Sequence, residues 1–292
     1  MMEPRRAYAL LGLVLLFWAG NYPLGKMALA HLGPLTLTGA RALLAVPLLL
    51  LAARLTAPLS RPLGRADYAA FVVLGFTGLV TNTTVWYLGL KHTTALNAGI
   101  VGAASPIFTA LGAALFLGDR LSPRNWVGVG LSVLAVVVTV AKGSPAVLLA
   151  FTVNRGDLFI LASQAAWVTY SLYSRAAAST LPPLWIMAGA HVVGAVVLVP
   201  LALVVERPWQ DWRAWSAWLV VLYGALPITL GHVWFYQVIR TLGAGRTVAF
   251  LNLMPFVVLA LSCALLGETL HAYHVVGAAL VAAGVYLATR PA

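Results

Sequence analysis

GDRLSPRNWVGVGL, residues 118–131, and GETLHAYHVVGAAL, residues 267–280, share one skeleton of glycine, acid and leucine set 149 positions apart. At the same offset, without a gap, Trp18 falls on Trp167, Lys26 on Arg175, Pro34 on Pro183 and Gly75 on Gly224. Tyr87 likewise falls on Tyr236, Pro106 on Pro255 and Gly128 on Gly277, while Asp119 meets Glu268 and the charge is kept. Leu and Val matches between apolar helices arise easily by chance. One register shared by Trp, Pro and Gly does not. Two related halves are therefore expected, at 1–141 and 156–292, joined by a linker at 142–155.

The chain around these stretches is apolar. Of its 292 residues 62% are hydrophobic and 9% charged, whereas soluble domains are about one quarter charged. Seven acids and eighteen bases cannot cover a water-soluble globule. A membrane span needs roughly 20 mostly apolar residues. Ten runs approach that length: 7–29, 34–54, 68–89, 94–117, 124–141, 156–178, 183–204, 215–239, 245–266 and 272–289. The expected fold class is an all-α polytopic membrane protein of ten transmembrane helices in two five-helix repeats. Five is odd, so the second half enters the bilayer from the opposite side and the repeats are inverted.

Lys and Arg counts orient such a protein. With the N-terminus in the cytoplasm, eleven bases lie inside: Arg5, Arg6, Arg54, Arg61, Arg65, Arg120, Arg124, Arg175, Arg240, Arg246 and Arg290. Six lie outside, namely Lys26, Lys91, Lys142, Arg155, Arg207 and Arg213, and Arg41 falls within the second span. Both termini are expected in the cytoplasm. Because the bases punctuate the gaps between apolar runs, the net charge of +11 reflects topology and not nucleic-acid binding. The apolar stretch after Arg6 exceeds the 7–15-residue core of a signal peptide, so it is expected to remain as a span. Trp209, Trp212, Trp215 and Trp218 read as an interfacial belt. The single cysteine, Cys263, permits neither a disulfide framework nor a zinc site.

Two five-span repeats, each ending in G-[DE]-x-L before a glycine-containing last helix, resemble the drug/metabolite transporter superfamily and specifically its EamA-type domain. The resemblance covers nearly the whole chain, and within that family the sequence is similar to YddG-type amino-acid exporters of bacterial inner membranes. It implies a central cavity lined by spans 1, 3, 4, 6, 8 and 9, with the fifth and tenth spans away from the substrate path. It also leaves several substrate classes open, because relatives carry amino acids, drugs, sugar-phosphates or nucleotide-sugars.

Polar groups in hydrocarbon are costly unless they are paired or face water. The candidates for substrate binding are therefore Trp18, Asn21, Asn82, Trp86, Trp167, Tyr170, His232 and Asn252, all deep in those spans. An indole offers an apolar, cation-binding face and one N–H donor, or else packing bulk. An Asn amide donates and accepts, which suits the two charged groups of a zwitterion or a bond to a neighbouring helix. His232 is either titratable near neutral pH or a fixed hydrogen-bonded ring. Tyr22, Thr83, Thr84, Asn97, Ser105, Gln164, Trp234 and Tyr236 lie at similar depth.

Pro23, Pro106 and Pro255 interrupt these spans as rigid kinks or as hinges. Lys26 and Arg175 stand at opposite mouths, where they either recruit carboxylates or snorkel. Asp119 and Glu268 are expected to stabilise the N-termini of the helices that follow them. His31, His92, His271 and His274 lie near span ends and need no special account.

No Asp or Glu occupies the middle of a span, where ion-coupled carriers commonly hold a carboxylate. No GxxxxGK[ST] loop is present, which argues against an ATP-driven pump. The deep residues include no cluster of nucleophile, base or metal ligands, so an embedded enzyme is only a distant alternative. An aromatic-rich lining disfavours a channel. The expectation is a secondary transporter without cofactor or metal, a monomer or weak dimer. Its expected work is to export neutral or aromatic amino acids, related small metabolites and drugs across the inner membrane. A cationic-drug, nucleotide-sugar or sugar-phosphate carrier of the same superfamily is the alternative.

Overall fold

The computed structural model describes residues 3–149, 153–177, 181–208 and 214–288. Trp209, Trp212, Arg213, Arg290 and the side chain of Tyr236 lie outside the described residues. Among the described residues the chain is helical, with no strand. Among the described residues, seven helices are long and apolar enough to cross a membrane: Pro4–Ala28, Pro34–Thr56, Arg65–His92, Ala95–Leu117, Pro123–Val140, Pro183–Val205 and Trp215–Leu242. Met254–Leu266 and Ala272–Ala288 are shorter apolar helices. Arg155–Ala177 is long enough but carries Arg155, Asp157 and Arg175. The outward face is apolar, with Leu115 78% and Phe116 76% exposed beside Leu55 and Val204. Such a surface belongs in lipid.

Local chemistry explains the paired landmarks. Pro34 and Pro183 occupy the first helical turn, where a missing N–H costs nothing and the fixed φ favours the helix. Gly118 and Gly267 end their helices at φ +72° and +64°, a left-handed conformation that glycine adopts without a Cβ penalty. After Gly118, Ser122 caps the 123–140 helix in a reciprocal box with Asn125.

The two acids of the repeated skeleton do not serve the helices that follow them. Glu268 accepts from Ala95 N (2.8 Å) and Leu96 N (3.0 Å), so it caps the 95–103 helix of the other half. Asp119 pairs with Arg175 instead. The N-terminal dipole still attracts the carboxylate, but tertiary packing brings up a different helix end.

Helix breaks also recur at the 149-residue offset. The 95–117 helix is interrupted at Ala104, and 244–266 at Asn252–Leu253. Pro106 and Pro255 are the second residues of the restarted helices, so both mark true breaks. Pro23 stays inside an unbroken helix. The third helices differ between the halves. Residues 75–83 form a π-helical turn, in which the carbonyls of Gly78 and Leu79 also accept from Thr83 Oγ1 (2.8 Å) and Thr84 Oγ1 (3.1 Å). Its counterpart is cut at Leu226 before Pro227.

The halves pack on each other. Helix 123–140 lies along 272–288, and 34–56 along 183–205. Helix 4–28 packs on 227–242, while 155–177 packs on 84–92. Small residues permit these approaches: Gly128 meets the backbone of Gly284 and Ala288, and Gly277 meets Thr139. The largest buried cluster, including Tyr87, Leu96, Ile100, Ile107, Ile160 and Val281, draws on both halves.

Candidate functional site

Between the halves lies a cavity of about 600 Å³, within the usual range for small-molecule sites. It is walled by Trp18, Asn21, Asn82, Trp86, Trp167, His232 and Asn252, with Pro106 and Pro255 at its helix breaks. The structure therefore gathers these expected residues in one place. Tyr170 does not line the cavity; it stacks on Trp167 with ring centroids 5.5 Å apart and packs against Gly78. Pro23 is buried away from the lining. Asn97 is also elsewhere, in the network described below.

Two helices outside the expected set contribute. Val281, Ala282 and Val285 of the last helix line the cavity, where the break at Asn252–Leu253 interrupts the helix in front of them. The expectation that the tenth span lies away from the path is corrected on this point. Arg41 of the second helix is the lining's one charged residue among those described. It escaped the sequence-based selection, where it counted only as a charge within a span.

The polar side chains are partly committed. Tyr87 Oη donates to Asn21 Oδ1 at 2.9 Å, which leaves the Asn21 amide nitrogen as a donor. Asn82 Nδ2 donates to the Ser163 carbonyl at 2.8 Å, which leaves its oxygen as an acceptor. Ser105 Oγ donates to Gln164 Oε1 at 2.7 Å. His232 Nδ1 lies 2.8 Å from the Ile228 carbonyl; a carbonyl can only accept, so Nδ1 carries the proton and a neutral ring keeps Nε2 as acceptor.

Aromatic rings build the walls. Trp18 lies against His232 at 4.8 Å and Phe235 at 5.1 Å, and Trp86 lies edge-on to Tyr22 at 5.0 Å. The Trp18 indole nitrogen is buried without a hydrogen-bond partner. Trp215, from the expected belt, is 70% exposed, whereas Trp218 packs on the main core cluster.

Outside the cavity lining, a polar network ties several helix ends together. Lys26 Nζ donates to the Leu90 carbonyl (2.9 Å) and to that of Thr93. It neither snorkels nor waits free at a mouth; it satisfies the carbonyls that end the 84–92 helix. Thr93 Oγ1 donates to Asp157, whose carboxylate also accepts from Asn97 Nδ2 at 3.2 Å. Asn97 Oδ1 lies 3.1 Å from His274 Nε2, so that ring nitrogen carries a proton. Asp157 and His274 are wholly buried. Sequence depth did not flag them because both stand near span ends. Arg175, the counterpart of Lys26, meets Asp119 at 2.8 Å with both side chains well exposed.

The sequence model of the EamA-like transporter family matches residues 5–141 and 154–290. A probable terminal-alkyne amino-acid exporter of Streptantibioticus cattleyicolor is 29% identical over 99% of this chain and 95% of its own. A probable amino-acid metabolite efflux pump of Salmonella typhimurium is 26% identical over 94% of this chain and 92% of its own. A solved crystal structure, 19% identical, shares the fold with a TM-score of 0.66 over 98% of this chain and 97% of that one.

Proposed function

The chain belongs to the EamA-like transporter family of the drug/metabolite transporter superfamily, and from that premise we propose that it exports neutral amino acids by alternating access. Transport, and not enzymatic turnover, is the family's activity. The observation that carries the substrate proposal is the cavity: aromatic walls, the Asn21 amide nitrogen as donor and the Asn82 amide oxygen as acceptor, and no carboxylate among its described lining residues. An aromatic or aliphatic side chain fits such walls, and the amides suit an ammonium and a carboxylate. Two relatives that carry amino-acid export or efflux in their names point the same way.

The proposed transporter has ten spans in two inverted halves, 1–141 and 156–292, joined by the linker 142–155. Recurrence of breaks and caps at the 149-residue offset supports the repeat, as does the way each half's first helix packs on the other's third. The Lys26 end faces outward and both termini face the cytoplasm of a bacterial inner membrane. In this reading the Lys26 network closes the outward end, and the conformation is the inward-facing one in which an exporter loads. Pro106 and Pro255, at matched breaks, are the proposed hinges. Purified protein in liposomes should show saturable counterflow of neutral amino acids without ATP. Counterflow restricted to a quaternary-ammonium drug or a sugar-phosphate would replace this substrate class. Trp167→Ala should cut the flux at least fivefold relative to Trp215→Ala at equal expression, on the order of the 1 kcal/mol of one lost aromatic contact.

A further inference from the structure

We infer that Arg41 is the anchor for the substrate's carboxylate, so that the cavity selects a ligand with one anionic head and rejects cations; the inference deepens the transport reading above and names the chemistry of its ligand. Arg41 reaches the cavity from the 34–56 helix. Its Nε is buried without a hydrogen-bond partner. The two ion pairs among the described residues are Arg61–Asp67 and Arg175–Asp119, so neither engages it. The guanidinium packs on Gly224 and lies over the face of Tyr87, with Cζ 5.4 Å from the ring centroid. Arg41 is part-buried with no counter-charge among the described residues, and an intramembrane charge facing a cavity marks a ligand pathway. A carboxylate matches its planar fork with two parallel hydrogen bonds.

The surroundings favour the same ligand. Tyr87, under the guanidinium, also holds Asn21 by its carbonyl oxygen, which leaves the Asn21 amide nitrogen as a second donor in that neighbourhood. Asn82, five residues before Tyr87 on the same helix, keeps an acceptor oxygen for an ammonium. One fixed positive charge neutralises a monoanion, whereas a phosphate dianion would remain uncompensated and a cationic drug would be repelled.

The repeat shows that helix packing does not require this arginine. Its counterpart at the 149-residue offset is Ala190, and there Gly75 meets the Ala190 carbonyl and Val193. In the other half the matched Gly224 leaves its Cβ space to the Arg41 Nε and Cδ atoms. The same close approach of helices thus houses a small residue on one side and a guanidinium on the other.

Calorimetric binding to purified full-length protein tests this with phenylalanine, phenylalanine amide and 3-phenylpropionate as probes. Wild type should bind phenylalanine at least tenfold more tightly than its amide. Arg41→Gln should weaken phenylalanine and 3-phenylpropionate by about 10–100-fold, the loss of a charge-assisted hydrogen-bonded pair, and the amide by less than about threefold. Arg41→Lys should keep a reduced preference for the acid. A merely structural arginine would change all probes alike, so an unchanged acid-to-amide ratio in Arg41→Gln overturns the inference. If that variant fails to fold, wild type without acid preference, or Arg41→Lys with an unaltered one, overturns it equally. Arg41-dependent binding of 3-phenylpropionate without phenylalanine binding would sink the amino-acid reading and leave the anchor standing. If no carboxylate binds, both fall.

Discussion

Lys26 and Arg175 occupy matched positions near the ends of the 4–28 and 155–177 helices, and they are held in different ways. Lys26 is tied to the carbonyls ending the 84–92 helix, within reach of a buried chain of Thr93, Asp157, Asn97 and His274. Arg175 has an exposed partner, Asp119. The residues matching the buried chain are Leu242 for Thr93, Tyr8 for Asp157, Arg246 for Asn97 and Asn125 for His274. Leu242 sits in a small apolar cluster with Ala7, Leu11 and Val238, and Tyr8 lies 6.4 Å from Phe250. The repeat therefore preserves the scaffold while the two ends use different chemistry. One end is a buried hydrogen-bonded chain. The positions matching it hold instead an apolar cluster at Leu242, a ring contact at Tyr8, and Asn125, which donates to the Leu287 and Ala288 carbonyls, while the Arg175–Asp119 pair is exposed. A polar seal fails sharply when one member is removed, because its neighbours are left buried and unsatisfied.

The largest expected effect follows from that contrast. Asp157→Ala strips acceptors from Thr93 Oγ1 and Asn97 Nδ2. At about 1–3 kcal/mol for each buried group left unpaired, the equilibrium should move toward opening of the Lys26 end by on the order of 10–100-fold. A cysteine at cavity residue Ala103, in a Cys263→Ser background, reports this through its reaction with an impermeant maleimide applied outside intact cells. Labelling should accelerate at least tenfold in Asp157→Ala and less in Asp157→Asn. An unchanged rate would break the comparison, because the polar network would then not be the seal.

A smaller effect is expected at Glu268. Its carboxylate caps the 95–103 helix through two backbone donors, an N-terminal interaction worth roughly 0.3–2 kcal/mol. Glu268→Gln keeps one acceptor oxygen and removes the charge. Labelling of the same cysteine should rise about two- to tenfold. A rate as high as that of Asp157→Ala would show that the cap, and not the buried carboxylate, governs closure.

The repeat and the helical membrane fold were legible because their causes are local. Gly118 and Gly267 announce left-handed caps, Pro34 and Pro183 announce helix starts, and apolar runs of span length announce lipid. The cavity was legible to the extent that depth and residue type select for it. Trp18, Asn82 and His232 could be chosen that way, yet the same rule admitted Tyr170, which faces a neighbouring helix. Depth along a helix does not tell which face a side chain takes. Arg41 was hidden for a different reason. Its partner position holds Ala190, so the symmetry that picked out the tryptophans was silent there. Asp157 and His274 stand near span ends, where charge is ordinarily unremarkable; only packing between distant segments reveals that they are buried.

The smallest expected effect lies at the other end. Asp119→Asn makes at the partner position the same acid-to-amide change as Glu268→Gln, but its carboxylate faces solvent and Arg175 is 65% exposed. Exposed pairs contribute about 0–1 kcal/mol, offset by side-chain entropy and screened by salt. Cysteine labelling from the outside should therefore stay within about twofold of wild type, and amino-acid counterflow should hold in high and low salt alike. A tenfold change in either would mean that Arg175 and Asp119 bear on the conformational equilibrium as strongly as the buried network does. The two ends would then be energetic equals, and the asymmetry of their hydrogen bonding would belong to the one conformation seen and not to the sequence that builds it.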